Sequence, residues 1–543
     1  MKIRKPRRIK VGMDDLEGIV ERAKAALSEE DHEKLKAAME TLAYLTQELE
    51  AERVSLRRLK RWLFGPSTEK TSQVVPPAAT GATSNSSATE PGHGEAEAAR
   101  PKPKGHGRNG AEEYRGAARV VVCHASLKTG QHCPRCQNGK LYEMRDDPGV
   151  LVRVVGRAPL QATVYEVEKL RCNLCGDVFT ADPPPGVGTG KYDETAASMI
   201  ALLRYGSGLP FNRLAHLQAG QGIPLPVTTQ WEIVESASEP LAPAYDEHVR
   251  QAAQGEVLHN DDTGATILEL TAPERRRELW KGDETDRTGV FTSAIVSVVE
   301  GHRIALFLTG MKHAGENLAD VLQRRTSALK PPIQMCDALS RNLPKPLKTI
   351  LANCLTHGRR HFVEVAENFP EECRHVLEVL GTVYRNDEQA REQGLSPEQR
   401  LRWHQGASGP LMEDLKKWFE EQLNERRVEP NSGLGEAMGY MLDHWEKLTL
   451  FLRVAGAPID NNICERALKK AILHRKNSLF YKTMNGARVG DLFMTLIHTA
   501  ELAHADAFDY LTELLRHPEA VARSPGAWMP WNYAATLGRP NVM

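Results

Sequence analysis

Glu256-Val257-Leu258-His259-Asn260-Asp261-Asp262-Thr263 is a short apolar run that ends in two adjacent carboxylates. Such a run between polar neighbours reads as a strand, and the chain that follows is of the same kind. Thr266 to Leu270, Val290 to Val299 and Arg303 to Leu308 are β-rich, with turn residues between them. The acidic-apolar helical segment Glu316 to Arg325 leads to Pro332-Ile333-Gln334-Met335-Cys336-Asp337, a buried strand that again ends in an acid, and a last strand is expected near Ile350 to Leu355. Three strands, helix, strand, helix, strand is the order of a ribonuclease-H-like α/β core. The stretch from about Phe362 to Leu452 is instead helical, with Val376, Leu380 and Val383 on one face and Trp403, Trp418 and Trp445 as large core candidates. It reads as a helical insertion, about 363–455.

Beyond the insertion, Glu465 falls on a helix that Asp460 can N-cap, with Leu468 and Ile472 on the same face. A carboxylate facing a core costs free energy unless it is paired or metal-bound. Asp261, Asp337 and Glu465 are together what a two-metal site needs, hard oxygen ligands that hold two Mg²⁺ about 3.5 to 4 Å apart. Strand-end acids occur in any α/β protein, so spacing alone leaves a merely structural reading open. His357, Arg359 and Arg360 follow an expected strand, and Arg466, His474, Arg475 and Lys476 lie on or after the Glu465 helix. These bases suit DNA phosphates or developing charge, and equally a solvated helix face.

Upstream of the core, Cys133-Pro134-Arg135-Cys136 and Cys172-Asn173-Leu174-Cys175 are two C-x-x-C knuckles, a set that closes a tetrahedral Zn²⁺ site without an open catalytic position. Nine cysteines in 543 residues, four of them so arranged, speak for metal in a reducing compartment rather than a disulfide framework. Leu35, Leu42, Leu49, Leu56 and Leu63 recur every seven residues within a helical pattern from about Leu16. The spacing predicts a short coiled coil and self-association as a dimer or higher oligomer, or else an amphipathic helix packed on its own protein. Between Phe64 and Tyr114 there is no aromatic, Leu or Ile, so a flexible linker is expected. Val120 to Val122, Leu151 to Val155 and Thr163 to Val167 read as strands around the knuckles. Ala196 to Tyr205, Leu214 to Gln218 and Thr228 to about Ala242 read as helices, the last two compatible with a helix-turn-helix or a plain helical linker.

Lys and Arg number 70 against 71 Asp and Glu, a balance that conceals basic clusters at residues 1–10, at Arg53, Arg57, Arg58, Lys60 and Arg61, and at Arg100 to Arg108. Three clusters in the first fifth of the chain favour nucleic acid. The chain is 41% hydrophobic and 26% charged, which excludes disordered and collagenous classes. It shows no bilayer-spanning apolar run and no secretory signal, so a cytoplasmic protein without membrane contact is expected.

Leu63-Phe64-Gly65-Pro66-Ser67-Thr68-Glu69-Lys70, Gly105-His106-Gly107-Arg108, the two knuckles, Leu258 to Thr263, Thr356 to Phe362, Ile459 to Ala467 and Arg475 to Phe480 together resemble the insertion-sequence sixty-six family of bacterial DDE transposases, in the family's order. The resemblance implies a multidomain protein: basic arm and leucine-zipper-like helix (1–70), disordered linker (71–112), β-rich Cys₄ zinc domain (113–186), helical segment (187–255), ribonuclease-H-like catalytic domain with its helical insertion (256–500) and a C-terminal tail segment (501–543). It implies Asp261, Asp337 and Glu465 as the catalytic triad, Mg²⁺ or Mn²⁺ and Zn²⁺ as cofactors, and double-stranded DNA as partner, both terminal inverted repeats and target. DNA contacts are expected from Arg57, Arg58, Lys60, Arg61, His357, Arg360, Arg466, Arg475 and Lys476. Small accessory proteins of the same element are implied as further partners, and nucleoid association when DNA is bound. Two departures from the family pattern stand out: Asp262 replaces a usual Glu, and Ala338-Leu339-Ser340-Arg341 replaces a Tyr-rich run. A catalytically inactive DNA-binding remnant or repressor is the alternative, as is a nuclease unconnected to transposition.

Overall fold

The computed structural model describes residues 190–279, 287–345 and 347–539, with 126–132, 134–141, 159–171, 178–182 and a few isolated residues before 190. The chain divides into two compact units, one of Met1–Ala78 with Leu160–Met543 and one of Ala79–Pro159. In the smaller unit, His132 bridges Lys140 and the backbones of Gly130 and Gln131 bond to Leu141, so a tight hairpin brackets the first knuckle. In the larger unit, β1 (Lys169–Arg171) pairs antiparallel with β2 (Val178–Thr180), and the second knuckle lies between them. Cys133, Cys172 and Cys175 fall outside the described residues, as do Arg57, Arg58, Lys60, Arg61 and nearly all of the leucine heptads. Thr163 to Val167, expected as a strand, carries no ladder bonds among the described residues, and Val164 is 85% exposed.

Three helices follow, α1 (Glu194–Ala201), which a π-helical turn extends to Gly206, α2 (Phe211–Gly220) and α3 (Val227–Ala252). Asp193 caps α1 by accepting from Ala196 N–H. The prolines at 240 and 243 suggest an end to α3 near Ala242, but the helix continues to Ala252. Leu241, Ala244 and Ala252 are fully or nearly fully buried, and that burial offsets the two lost backbone hydrogen bonds.

The five-stranded sheet runs β5-β4-β3-β6-β7, with β3 Val257–Gly264, β4 Phe291–Val299, β5 His302–Gly310, β6 Ile333–Cys336 and β7 Ile350–Asn353. β3, β4 and β5 are antiparallel; β6 and β7 lie parallel to β3. This is the mixed α/β sheet expected from the strand order. Thr266 to Leu270 is not a strand: β4 already occupies that side of β3, so Ile267 makes one bridge to Tyr481 and Leu268–Leu270 closes into a 3₁₀ turn. Alternation divides the faces. Ala294, Val296, Ala305 and Phe307 pack beneath α3 and two later helices, whereas Leu258, Ile295, Ile304 and Leu306 pack on Leu318 and Val321 of α4 (Ala314–Leu322) and on Val249 from the end of α3.

After β7 come α5 (Leu355–Val365), α6 (Pro370–Glu392), α7 (Pro397–Ala407), α8 (Gly409–Asn424) and α9 (Gly433–Asp443), with short turns to Leu452. Ser396 and Ser432 cap α7 and α9. Val376, Leu380 and Val383 are fully buried as expected, but of the three tryptophans only Trp445 is buried; the interior is built from Phe362, Phe419 and Phe451. α10 (Asn462–Ser478) and α11 (Met484–Leu502) then return to the sheet. Among the described residues no helix is long and apolar enough to cross a membrane.

Candidate active site

β3 and β6 pair with Val257 opposite Ile333, Leu258 opposite Gln334 and His259 opposite Met335. Carried forward two residues, this register sets Asp337 level with Asp261. Neighbouring strands lie about 4.8 Å apart and level residues of a parallel pair share a face, so the two carboxylates start side by side. Asp337 sits just past the strand, where its Oδ1 accepts from Leu339 N–H (3.1 Å) and Asn342 Nδ2 (2.5 Å). Asn353 Nδ2 also donates to its backbone carbonyl at 3.1 Å.

Glu465 comes from α10, which lies across β3 and β4. Three contacts fix the start of that helix: His259 Nδ1 to Asn461 Oδ1 (3.1 Å), Asn461 Nδ2 to Asn260 O (3.2 Å) and Cys464 Sγ to Ala294 O (3.3 Å). Ala294 is the ladder partner of Asp261, so the residue after Cys464 is delivered beside the acids. Asp460 does not cap by itself: Asn461 is the cap residue, and Asp460 Oδ1 accepts from Asn462 N–H at 3.0 Å. The electrostatics report the convergence. The Asp261 carboxyl is pushed up to about 7 by burial first, then by the nearby carboxylates of Asp337, Asp262 and Glu465. Among the described residues, no Lys or Arg forms an ion pair with Asp261, Asp337 or Glu465.

His357, in the first turn of α5, points its Nδ1 to 3.9 Å from Glu465 Oε1, and both atoms are buried without a hydrogen-bond partner. Cys354 Sγ lies within the same cluster of potential ligands. Its thiol is pushed up to about 11 by burial, so it stays protonated and is a poor partner for a hard cation. Clustered carboxylates, one of them pushed up by burial and by its neighbours, and two orphaned buried polar atoms are a donor set that a divalent cation would satisfy.

Asp262 points the other way, as strand alternation requires. Its Oδ2 accepts from His313 Nδ1 (2.9 Å) and Ala314 N–H (3.3 Å) at the start of α4, and Arg341 Nη2 approaches Oδ1 at 3.5 Å. Of the other basic residues named from sequence, Arg466 and Lys476 are exposed and Arg475 donates to Thr263 Oγ1 (3.2 Å) and Gly264 O. Arg360 lies in α5, three residues beyond His357. His474 is no phosphate ligand: it is buried between Tyr205 and Tyr481, and burial drops its pKa to about 3. α3 exposes Glu232 and Glu239 on its outer face, a charge that does not suit phosphates.

The profile of the Transposase IS66 family matches residues 189–489, more than half of the chain and the whole of the sheet with its insertion. The chain is similar to the uncharacterized protein y4jD of Sinorhizobium fredii, 26% identical over 420 residues, 74% of this chain and 78% of that one. It is likewise similar to the uncharacterized protein y4hP of the same organism, 27% identical over 403 residues and 70% of each chain.

Proposed function

The chain belongs to the IS66 family of transposases, and on that premise we propose that it cuts and joins DNA strands at the ends of an insertion sequence by metal-assisted phosphoryl transfer. The observation that carries the reading is the level pair Asp261 and Asp337 beside Glu465, carboxylates that form no ion pair with a Lys or Arg among the described residues. Asp261 and Asp337 would hold two Mg²⁺ (or Mn²⁺) between them, with Glu465 on the second. Bound there, the ions supply the activation of the attacking hydroxyl and the stabilisation of the leaving oxygen. His357, whose Nδ1 lies 3.9 Å from Glu465 Oε1, would support the acid in binding the ion. Arg466 and Lys476, exposed on the Glu465 helix, and Arg360 on α5 would hold the DNA backbone, a contact that fixes register rather than sequence.

In the N-terminal part, Cys133, Cys136, Cys172 and Cys175 would hold zinc, a zipper-like helix would bring subunits together, Arg57, Arg58, Lys60 and Arg61 would contact the inverted repeats, and accessory proteins of the element would be partners. The test uses duplexes copied from the DNA bordering the gene. With Mg²⁺ the protein should nick at the element boundary and join the freed 3′-hydroxyl to a second duplex. Asp261→Asn should abolish both steps and leave DNA binding and zinc content unchanged; cleavage that survives this change sinks the assignment. A protein that binds the ends yet never cuts them, with its acids intact, would instead be the inactive repressor.

A further inference from the structure

The end of α10 carries a feature that the proposed chemistry does not use. Leu479 has φ +68° and ψ −47°, and Phe480 N–H bonds back to Ser478 O at 2.8 Å, which makes Leu479 the centre of a γ-turn that a branched side chain rarely enters. Glycine would relieve the turn, yet leucine stands there. Its side chain is 66% exposed and that of Phe480 37% exposed.

The turn is held from both sides. Arg204 donates to Ser478 Oγ, Asn477 Nδ2 donates to Gly208 O (3.0 Å), and Tyr481 N–H donates to Thr266 O (2.9 Å). Backbone strain persists only where its surroundings over-determine it, and it gathers where function needs a fixed shape. Around the apolar tip, Lys476 and Lys482 are exposed and Arg475 reaches the end of β3, two residues past Asp261. Glu269, whose N–H donates to Lys482 O, has its carboxylate taken up by Arg275 and by Met484 N–H.

Resting on the DNA-cutting reading above, we propose that Leu479 and Phe480 form a rigid apolar wedge that enters a base step of the bound duplex and unstacks it. Flanking lysines suit a phosphate backbone, and an apolar side chain fixed between them suits the gap between two bases. Leu479 stands fourteen residues beyond Glu465 along α10, or about 21 Å. A duplex that follows the helix from the acids meets the tip about six base pairs away, at 3.4 Å per step.

The experiment is permanganate oxidation of thymines placed along a duplex from the DNA bordering the gene, with the full chain. A several-fold rise at thymines about half a helical turn from the cleaved bond is expected, in the unsubstituted protein and in Asp261→Asn alike. Leu479→Gly should keep the fold, with an unchanged or higher Tm, and lose the rise; Phe480→Ala should lose it in part. Reactivity and cleavage that stay unchanged in both variants overturn the wedge. So does a variant that keeps full reactivity but sediments as a smaller species, which would make the tip a protein contact. A chain that never cuts DNA, but still unstacks it through Leu479, overturns the catalytic reading and leaves the wedge standing.

Discussion

Asp262 and Arg341 meet in the fold at 3.5 Å, on the side of β3 away from Asp261. Asp262 is the side chain that ties β3 to the first turn of α4, through His313 Nδ1 and Ala314 N–H. The two should therefore couple: removing the buried Asp262 carries a cost of about 1 to 3 kcal/mol, removing the half-exposed Arg341 about 0 to 1 kcal/mol, and the double variant should fall short of their sum in a denaturation cycle. Near the acids, the proposed function gives His357 and Arg466 different roles, although the charge of both suits DNA. Changing His357 to Ala should raise the Mg²⁺ concentration needed for half-maximal cleavage and leave DNA binding alone. Changing Arg466 to Ala should weaken binding of every duplex and lower the salt slope by about one. A basic residue next to others in sequence gives no sign that its ring turns inward. His357 does so because it lies in the first turn of α5, just after the strand that runs beside Asp337; His474 does so because it sits on the buried stripe of α10.

The way α11 covers the sheet edge was not legible in the sequence either. Asp491, Thr495 and Thr499 recur every four residues on that helix and accept from Thr309, Phe307 and Ala305 N–H of β5, which recur every two (2.6, 3.1 and 3.1 Å). Four helical residues rise about 6 Å and two strand residues about 6.8 Å, so the rows keep step for two turns and close an edge that would otherwise expose free donors. Read from sequence, that row is merely polar residues on an apolar helix; only the strand beside it gives the period meaning. Thr495→Val keeps the shape and strands the Phe307 donor, so thermal unfolding should register a loss of about 1 to 3 kcal/mol. Asp491 is wholly buried, and burial pushes its carboxyl up to about 7 despite two bonds from Thr309. Since its folded value exceeds the usual 3.8, its contribution to stability is complete below about pH 4 and fades as pH rises to about 7. Unfolding of the wild-type and Asp491→Asn proteins from pH 4 to 8 should show their difference changing across that interval. A constant difference would mean that Asp491 is ionised throughout.

Both ends of the sheet are thus closed, β5 by α11 and β7 by the insertion, but the two closures differ in what they touch. Ile333, Met335 and Ala352 of β6 and β7 belong to one apolar cluster with Phe362, Phe419, Leu434 and Phe451. The strand that ends in Asp337 therefore takes its packing from the inserted helices, whereas Asp261 sits on β3, whose Leu258 packs on Leu318 of α4 and Val249 of α3. The strand-end acids could be read from sequence because a parallel ladder keeps them level. That the insertion supports one of them could not, since residues 363–455 show a helical period without naming what lies beneath it. If this division is right, loosening the insertion should unseat Asp337 before it unfolds the protein. Phe419 is fully buried and stacked on Phe362 with ring centroids 5.6 Å apart, so Phe419→Ala should cost about 3 to 5 kcal/mol within that cluster. Hydrogen exchange should then quicken at the amides of β6 and β7 while those of β3 and β4 stay protected. Divalent-metal-dependent cleavage should fall in step with β6, at temperatures where circular dichroism still reports a folded chain. Equal loss of protection across all five strands would show instead that insertion and sheet unfold as one unit.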